Sequence, residues 1–261
     1  MKRWIPFLKS DPQVAVVRLD GMIASGRGLN DQGIGPVIEK AFAKKPVAVA
    51  LVINSPGGSP VQSALIGARI RRLSEEKGIP VHAFVEDVAA SGGYWLAAAA
   101  DEIWVDRSSV IGSIGVISAG FGLDEFIGRY GIERRVYTAG KSKSMLDPFR
   151  PEKDEDIARL KGLLEDIHET FKDHVRTRRE GKLPEDDLFT GEIWVGQKGV
   201  DVGLADGVGH LVPKMKELFG DKVQFRKYGQ KRPFLSRLGA QALTEASHQI
   251  EERAAYARFG L

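Results

Sequence analysis

Twice in succession the chain runs through the same three-part unit: an apolar strand, a glycine-containing turn and a helix. Residues 47–53 (VAVALVI) form a continuous apolar run, as expected of a strand covered on both faces. The run ends in Asn54-Ser55-Pro56-Gly57-Gly58, a loop by every turn signal. Ser59 then suits a helix N-cap and Pro60 the first helical position, with Ile66, Ile70 and Leu73 as the buried stripe. Gly78-Ile79-Pro80 stops that helix. A second strand follows at Val81, Ala83, Phe84 and Val85, then a tight turn at Ala90-Ser91-Gly92-Gly93, then an apolar helix over residues 94–100 (YWLAAAA). Repeated strand–turn–helix units predict an α/β fold: a parallel sheet with helices on both faces, whose ligands gather at the carboxyl ends of the strands.

The second turn places Ser91 at a helix N-terminus, where backbone N–H groups have no intrahelical partner. A hydroxyl there is either a plain N-cap or a nucleophile. Glycines let backbone N–H groups approach a ligand without an intervening side chain. The Gly58 N–H, with Gly57 shaping its turn, and the Gly92 N–H are therefore candidate oxyanion donors. The plainer alternative makes both loops simple strand-to-helix connections.

A nucleophilic serine needs a base. His82 lies nine residues before Ser91 on an extended strand, out of reach at about 3.3 Å per residue. His168 and His174 fall on a long helix, away from its apolar stripe; His210 and His248 sit in polar or late segments. These five read as structural or surface residues, and no Ser–His–acid arrangement emerges. A lysine serves instead if burial lowers its pKa enough to leave the amine neutral near pH 7. The polar loop 138–150 (TAGKSKSMLDPFR) offers Lys141 and Lys143.

The remaining chain reads as follows. Residues 13–19 form a first strand, a glycine-rich loop covers 21–35, and Val37, Ile38, Ala41 and Phe42 have helical spacing. Residues 102–105 suit a short strand, and 109–117 (SVIGSIGVI) carry two glycines that suggest bends or close backbone approach. A helix is expected over 123–130 and a strand over 133–137. Ile157, Leu160, Leu164, Ile167, Phe171 and Val175 mark a long amphipathic helix, entered through the acidic run 152–156. A short strand and helix are expected within 189–209, a last strand at 223–228, and a weakly amphipathic helix over 234–259. The predicted organisation is a tail (1–12), one domain (13–230) and a helical extension (231–261).

Composition narrows the function. Of 261 residues 43% are hydrophobic and 28% charged, so a packed core is expected rather than disorder. The net charge of +3 is scattered, and no nucleic-acid motif accompanies it. Without cysteine, neither disulfides nor thiolate metal sites exist. No cofactor or metal is implied. The chain has no apolar run of about 18 residues, and the start, MKRWIPFLKSDP, has no signal-like h-region. Trp4, Ile5, Phe7 and Leu8 among basic residues suit a peripheral membrane contact, a disordered tail, or a tail pinned on a neighbouring subunit.

Four motifs together resemble a known family. NSPGG at 54–58, ASGGYWLAAAAD at 90–101, GSIGVI at 112–117 and a lysine followed by Pro148-Phe149-Arg150 are similar to the S49 serine peptidases of the signal peptide peptidase A type. The segment 189–206, with Gly191, Gly203 and Leu204-Ala205-Asp206, is similar to the family's later motif. NSPGG alone also occurs in the caseinolytic proteases. The resemblance spans about residues 14–211. It implies a ClpP/crotonase-like fold with a small perpendicular sheet, and a Ser–Lys dyad of Ser91 and Lys143, with Lys141 as the spare candidate and Ser113 orienting the lysine amine. It also implies a ring-like homo-oligomer that assembles the dyad between neighbouring protomers. Family substrates are cleaved signal peptides and other unfolded, largely apolar segments. Many relatives carry an amino-terminal membrane anchor; the expectation here is a short form without one, cytoplasmic or peripheral at the inner membrane surface. Two rival readings are a crotonase-like hydratase or isomerase acting on acyl-CoA, which needs catalytic carboxylates, and a non-catalytic ring scaffold.

Overall fold

The computed structural model describes residues 11–26, 28–184, 187–229 and 252–261. Residues 1–10 of the expected tail and most of the helix over 234–259 lie outside the described residues; residues 252–257 are helical.

The two repeated units form as the sequence predicts. β2 (Ala48–Ser55) and β3 (Val81–Ala90) pair in parallel. α2 (Pro60–Lys77) starts with Ser59 accepting the Gln62 N–H and stops at Gly78, whose φ of 60° is left-handed. Its buried stripe includes Ile66, Ile70 and Leu73. Every residue of α3 (Gly92–Ala98) is buried, as an Ala/Leu helix without a polar face requires.

β1 (Gln13–Asp20) lies beside β2, and β8 (Gln224–Tyr228) closes that edge. On the other side β3 pairs with β4 (Glu102–Val105), and β4 with β7 (Gly207–Val208). All these pairs are parallel. A smaller sheet branches from the far end of β3, which pairs in parallel with β5 (Val110–Gly112); β5 pairs antiparallel with β6 (Ile193–Val195). The order is therefore β8-β1-β2-β3-β4-β7, with β5 and β6 continuing from the carboxyl end of β3. The expected mainly parallel sheet with helices on its faces and a second small sheet is what forms.

The branch originates in a register irregularity. Ile53 pairs with Val85, but Ser55 pairs with Ala89, so β3 accommodates two residues more than β2 over this stretch. Asn54 fills the gap: its side-chain oxygen accepts the Val88 N–H at 3.3 Å, and its amide donates to Asp87 at 2.7 Å. The Ser109 hydroxyl donates to the carbonyls of this stretch, with Glu86 O at 2.5 Å and Val85 O at 3.1 Å. β3 thus leaves one sheet and enters the other just before Ser91.

α1 (Asp31–Ala43) begins earlier than the glycine-rich composition suggests, because the Asn30 side chain caps the Gly33 N–H. The expected helix at 123–130 is α4 (Asp124–Arg129), and it buries no residue. The strand expected over 133–137 does not form. Only Val136 and Tyr137 of this segment favour a strand, it pairs with no other strand among the described residues, and a strand without a ladder gains too little to order its backbone. α5 (Asp154–Arg178) has the predicted length, but only Phe171 and Val175 of its apolar stripe are buried. α6 (Gln197–Asp201) and α7 (Leu211–Phe219) complete the fold. Among the described residues no helix is long and apolar enough to cross a membrane.

Candidate active site

The parallel register of β3 and β5 brings two serines to one place. Ala90 pairs with Gly112, so the next residues along the two strands are Ser91 and Ser113. Both adopt left-handed backbone conformations, with φ of 52° and 51°. Each turn is pinned by its own N–H: Ser91 donates to the Gly112 carbonyl at 2.8 Å and Ser113 to the Glu192 carbonyl at 2.6 Å. Two parallel strands therefore end in matching strained turns, side by side. Strain of this kind costs about 1–3 kcal/mol per residue and persists only where surrounding structure imposes it.

Ser91 precedes α3, yet its hydroxyl makes no capping hydrogen bond. The plain N-cap reading of that serine is thereby removed. Its side chain lines a cavity of about 310 Å³ together with Gly58, Gly92 and Ser113.

The two glycine loops meet at this cavity. Gly57 and Gly58 have φ of 101° and 140°. A Cβ added to Gly57 would lie 2.8 Å from both the Ala90 carbonyl oxygen and the Gly92 nitrogen, and one on Gly92 would lie 3.4 Å from the Gly58 nitrogen. The Gly58 and Gly92 nitrogens are thus near neighbours beside Ser91. Gly92 opens α3, so no residue precedes it in the helix to accept its N–H. Gly58 is held by a bridge to Ile23 in which the bonds run from Ile23 N–H to the Gly57 carbonyl (2.8 Å) and from Ser59 N–H to the Ile23 carbonyl (2.7 Å). That pattern fixes the Gly58 peptide without using its N–H. The buried Ser55 hydroxyl adds support, donating to the Gly21 carbonyl at 2.7 Å and accepting the Gly57 N–H at 3.3 Å.

The lysines stand apart from this constellation. Lys143 is exposed and is not among the residues lining the Ser91 cavity. Lys141, also exposed, borders a separate shallow depression with Asp147 and Glu152. Their loop follows a stretch of exposed apolar side chains that includes Phe121 (85% exposed), Phe126, Tyr130 and Tyr137 (90% exposed).

Two histidines are placed differently from expectation. His168 and His174 face the body of the protein rather than solvent. His168 Nε2 lies 3.1 Å from the Ile114 carbonyl, and His174 Nε2 lies 3.0 Å from the Trp95 carbonyl. The His174 ring stacks on Trp95 at 4.6 Å, and Phe171 stacks on Trp95 at 5.0 Å. Burial pushes the His174 pKa down to about 4, outweighing the carbonyl contact that favours the charged form. His174 is therefore neutral near pH 7 and braces the tryptophan at the cavity floor. The structural reading of these histidines stands; their placement away from the packed face does not. Each sits one helical step from Phe171 or Val175, so the buried face of α5 is wider than its apolar residues alone indicate.

The cavity also contains residues the sequence did not mark. Trp95, Ile167 and Phe171 supply apolar lining, and Arg258 and Phe259 form a further part of the wall. Trp95 was legible only as helix core, and residues 258–259 only as the end of a polar helix.

Residues 74–220 match the model of peptidase family S49, and the chain belongs to that family. The chain is 46% identical to a Brucella melitensis protein named Na(+)/H(+) antiporter NhaA, over 100% of this chain but 39% of that protein. It is 31% identical to the chloroplastic serine protease SPPA of Arabidopsis thaliana, over 81% of this chain and 33% of that one. The chain thus spans well under half of these relatives. Among solved structures, a mutant of the membrane-bound stomatin-specific protease 1510-N aligns with a TM-score of 0.51 and 15% identity, covering 85% of this chain and 100% of that one. The family and this shared architecture agree with the ClpP/crotonase-like fold.

Proposed function

We propose that this chain is a serine endopeptidase working through a Ser91–Lys143 dyad. The observation that carries the proposal is Ser91 itself: a serine in a strained turn, with a hydroxyl that caps nothing, beside two glycine N–H groups. In the proposed reaction the neutral amine of Lys143 takes the Ser91 proton as Oγ attacks a peptide carbonyl. The Gly58 and Gly92 N–H groups hold the oxyanion. The tetrahedral intermediate collapses by breaking the C–N bond, and the lysine ammonium returns its proton to the leaving amine. Water then attacks the ester carbonyl, the lysine again accepting a proton; the C–Oγ bond breaks, the lysine ammonium returns that proton to Ser91 Oγ, and the acid product is released. Ser113, neighbouring Ser91 across the strand pair, is the proposed orienting partner for the amine.

Assembly completes this site. Lys143 is exposed in the single chain, and the segment before it presents exposed aromatic side chains. A ring of protomers that covers this surface with a neighbour would bury the amine and deliver it to the adjoining Ser91. The apolar lining of Trp95, Ile167 and Phe171 supports unfolded, largely apolar peptides as substrates, signal peptides among them. No carboxylate borders the Ser91 cavity among the described residues, which disfavours the hydratase or isomerase alternative.

The test is cleavage of casein or a signal peptide by wild type, Ser91→Ala and Lys143→Ala, with native mass measured alongside. Each substitution should lower turnover by about 10³-fold or more, as loss of a member of a concerted catalytic set does. Activity in the assembled wild type should rise through an apparent pKa well below the ~10.4 of an unburied lysine. Cleavage that persists in Ser91→Ala defeats the proposal. Absence of labelling by a serine-directed phosphonate at any pH returns the scaffold reading.

A further inference from the structure

We infer that the C-terminal segment forms one wall of the substrate site and that Arg258 selects for an anionic group on the peptide. This rests on the peptidase reading of the Ser91 cavity and adds a charge preference to it.

The segment is seated on the strand that delivers Ser91. Tyr256 and Phe259 pack against Val88, Ala90 and Val110, at the carboxyl end of β3 and its partner in β5. The Tyr256 hydroxyl donates to the Asn54 carbonyl at 2.8 Å, which ties the segment to the end of β2, immediately before the Gly57-Gly58 loop. The local turn is closed by the Phe259 N–H on the Tyr256 carbonyl at 2.9 Å. The wall is therefore attached to both strands whose loops carry the nucleophile and the oxyanion donors.

Arg258 and Phe259 border the Ser91 cavity and also a neighbouring one of about 380 Å³ beyond Ser113. Among the described residues lining the Ser91 cavity, Arg258 is the single charged one; the rest are apolar, small or hydroxyl-bearing. A lone positive charge on an otherwise uncharged, partly enclosed surface attracts a substrate carboxylate and repels a substrate ammonium. The guanidinium is exposed, so its effect on affinity is that of a solvated pair, up to about fivefold. The selected class is a peptide with an apolar stretch in the cavity and an acidic residue where the chain passes Arg258. Glu192 borders the neighbouring cavity only, which confines the preference to the Ser91 side.

The experiment measures equilibrium binding of labelled peptides to the full chain carrying Ser91→Ala. The peptides are matched sets with Glu, Gln or Lys at successive positions on either side of the cleavage point. At one of these positions the Glu peptide should bind up to about fivefold more tightly than the Gln peptide, and the Lys peptide more weakly still. Arg258→Gln should level the series and Arg258→Glu should invert it, with the differences shrinking as salt rises. A series without charge preference in the Ser91→Ala chain, or one unchanged by Arg258→Glu, overturns the inference. Cleavage of the Gln peptide by the chain with Ser91 intact is measured separately. Failure there defeats the peptidase reading, while the binding order still decides whether Arg258 selects.

Discussion

The two halves of the proposed catalytic pair occupy opposite kinds of structure. Ser91 sits where three strands, two glycine turns and a buried helix converge, and its conformation is over-determined by its neighbours. Lys143 sits in a loop that packs little of its surroundings, behind a helix that buries nothing. The first region is finished within one chain. The second has the surface of a part awaiting its counterpart: large aromatic side chains in solvent and a segment, 133–137, that pairs with no strand among the described residues. A site divided in this way can hold its strained nucleophile permanently while completing the base only on assembly.

Glycines offer the sharpest test of that contrast. A Cβ on Gly58 would lie 2.0 Å from the Ile23 carbonyl oxygen, at a φ of 140°. Strain and overpacking together should make Gly58→Ala destabilising by about 4 kcal/mol, and any folded fraction should lose activity through displacement of the Gly58 N–H. Gly128, in α4, has nothing within 4 Å of an added Cβ. Gly128→Ala should be neutral or stabilising by up to about 1 kcal/mol, the helix preference of alanine over glycine. Denaturant titration of both variants measures the difference. Equal effects would mean that the two regions are alike in packing.

Much of the finished region was legible in the sequence because it is built from local signals. Continuous apolar strands, Ser59-Pro60 as a helix start and Gly78 as its stop each act within a few residues and are found as read; the turn read over Ala90-Ser91-Gly92-Gly93 is tighter, with α3 starting at Gly92 rather than at residue 94. The neighbourhood of Ser91 and Ser113 was legible only through family resemblance. It depends on the β3–β5 register and on the extra residues that Asn54 and Ser109 hold in place, which no local pattern encodes. The histidines of α5 were misplaced for a related reason: an imidazole counted as polar becomes part of a packed face when a backbone carbonyl takes its N–H. The expected strand over 133–137 failed because a β-favouring pair such as Val136-Tyr137 states what a segment can join, not that a partner is present. The contribution of residues 258–259 was invisible, since nothing in a weakly amphipathic helix says which distant strand it will cover.

A smaller effect concerns acid. His174 is held neutral against Trp95, with its pKa down to about 4 chiefly because burial penalises the charged form. In the unfolded chain the ordinary value is about 6.5. Between these two values the unfolded chain binds the extra proton and the folded one does not. The associated stability is thus fully present above about pH 6.5 and is lost progressively as the pH falls toward 4, to a total of about 3 kcal/mol. His174→Phe, which keeps a stacking ring and cannot be protonated, should flatten that part of the stability–pH curve. An unchanged slope between pH 6.5 and 4 would mean that His174 is not responsible.

The smallest effect on the protomer should come from the most exposed residues, and it bears most directly on the divided site. Phe121 and Tyr137 are 85% and 90% exposed. Replacing both with serine removes almost no burial from the single chain, so its unfolding free energy should change by no more than about 0.5 kcal/mol. If these rings are the surface a neighbouring protomer covers, the same change should lower the native mass and, with it, the rate of peptide cleavage. Active-site labelling separates the two halves. A weak nucleophile without its base should react slowly with a phosphonate in the dissociated variant, and labelling should recover at protein concentrations high enough to restore the assembly. A variant of unchanged mass and unchanged rate would place the partner surface elsewhere. A variant that dissociates yet keeps full activity would mean that Lys143 reaches Ser91 within one chain, and the difference between the two regions would then lie in mobility rather than in assembly.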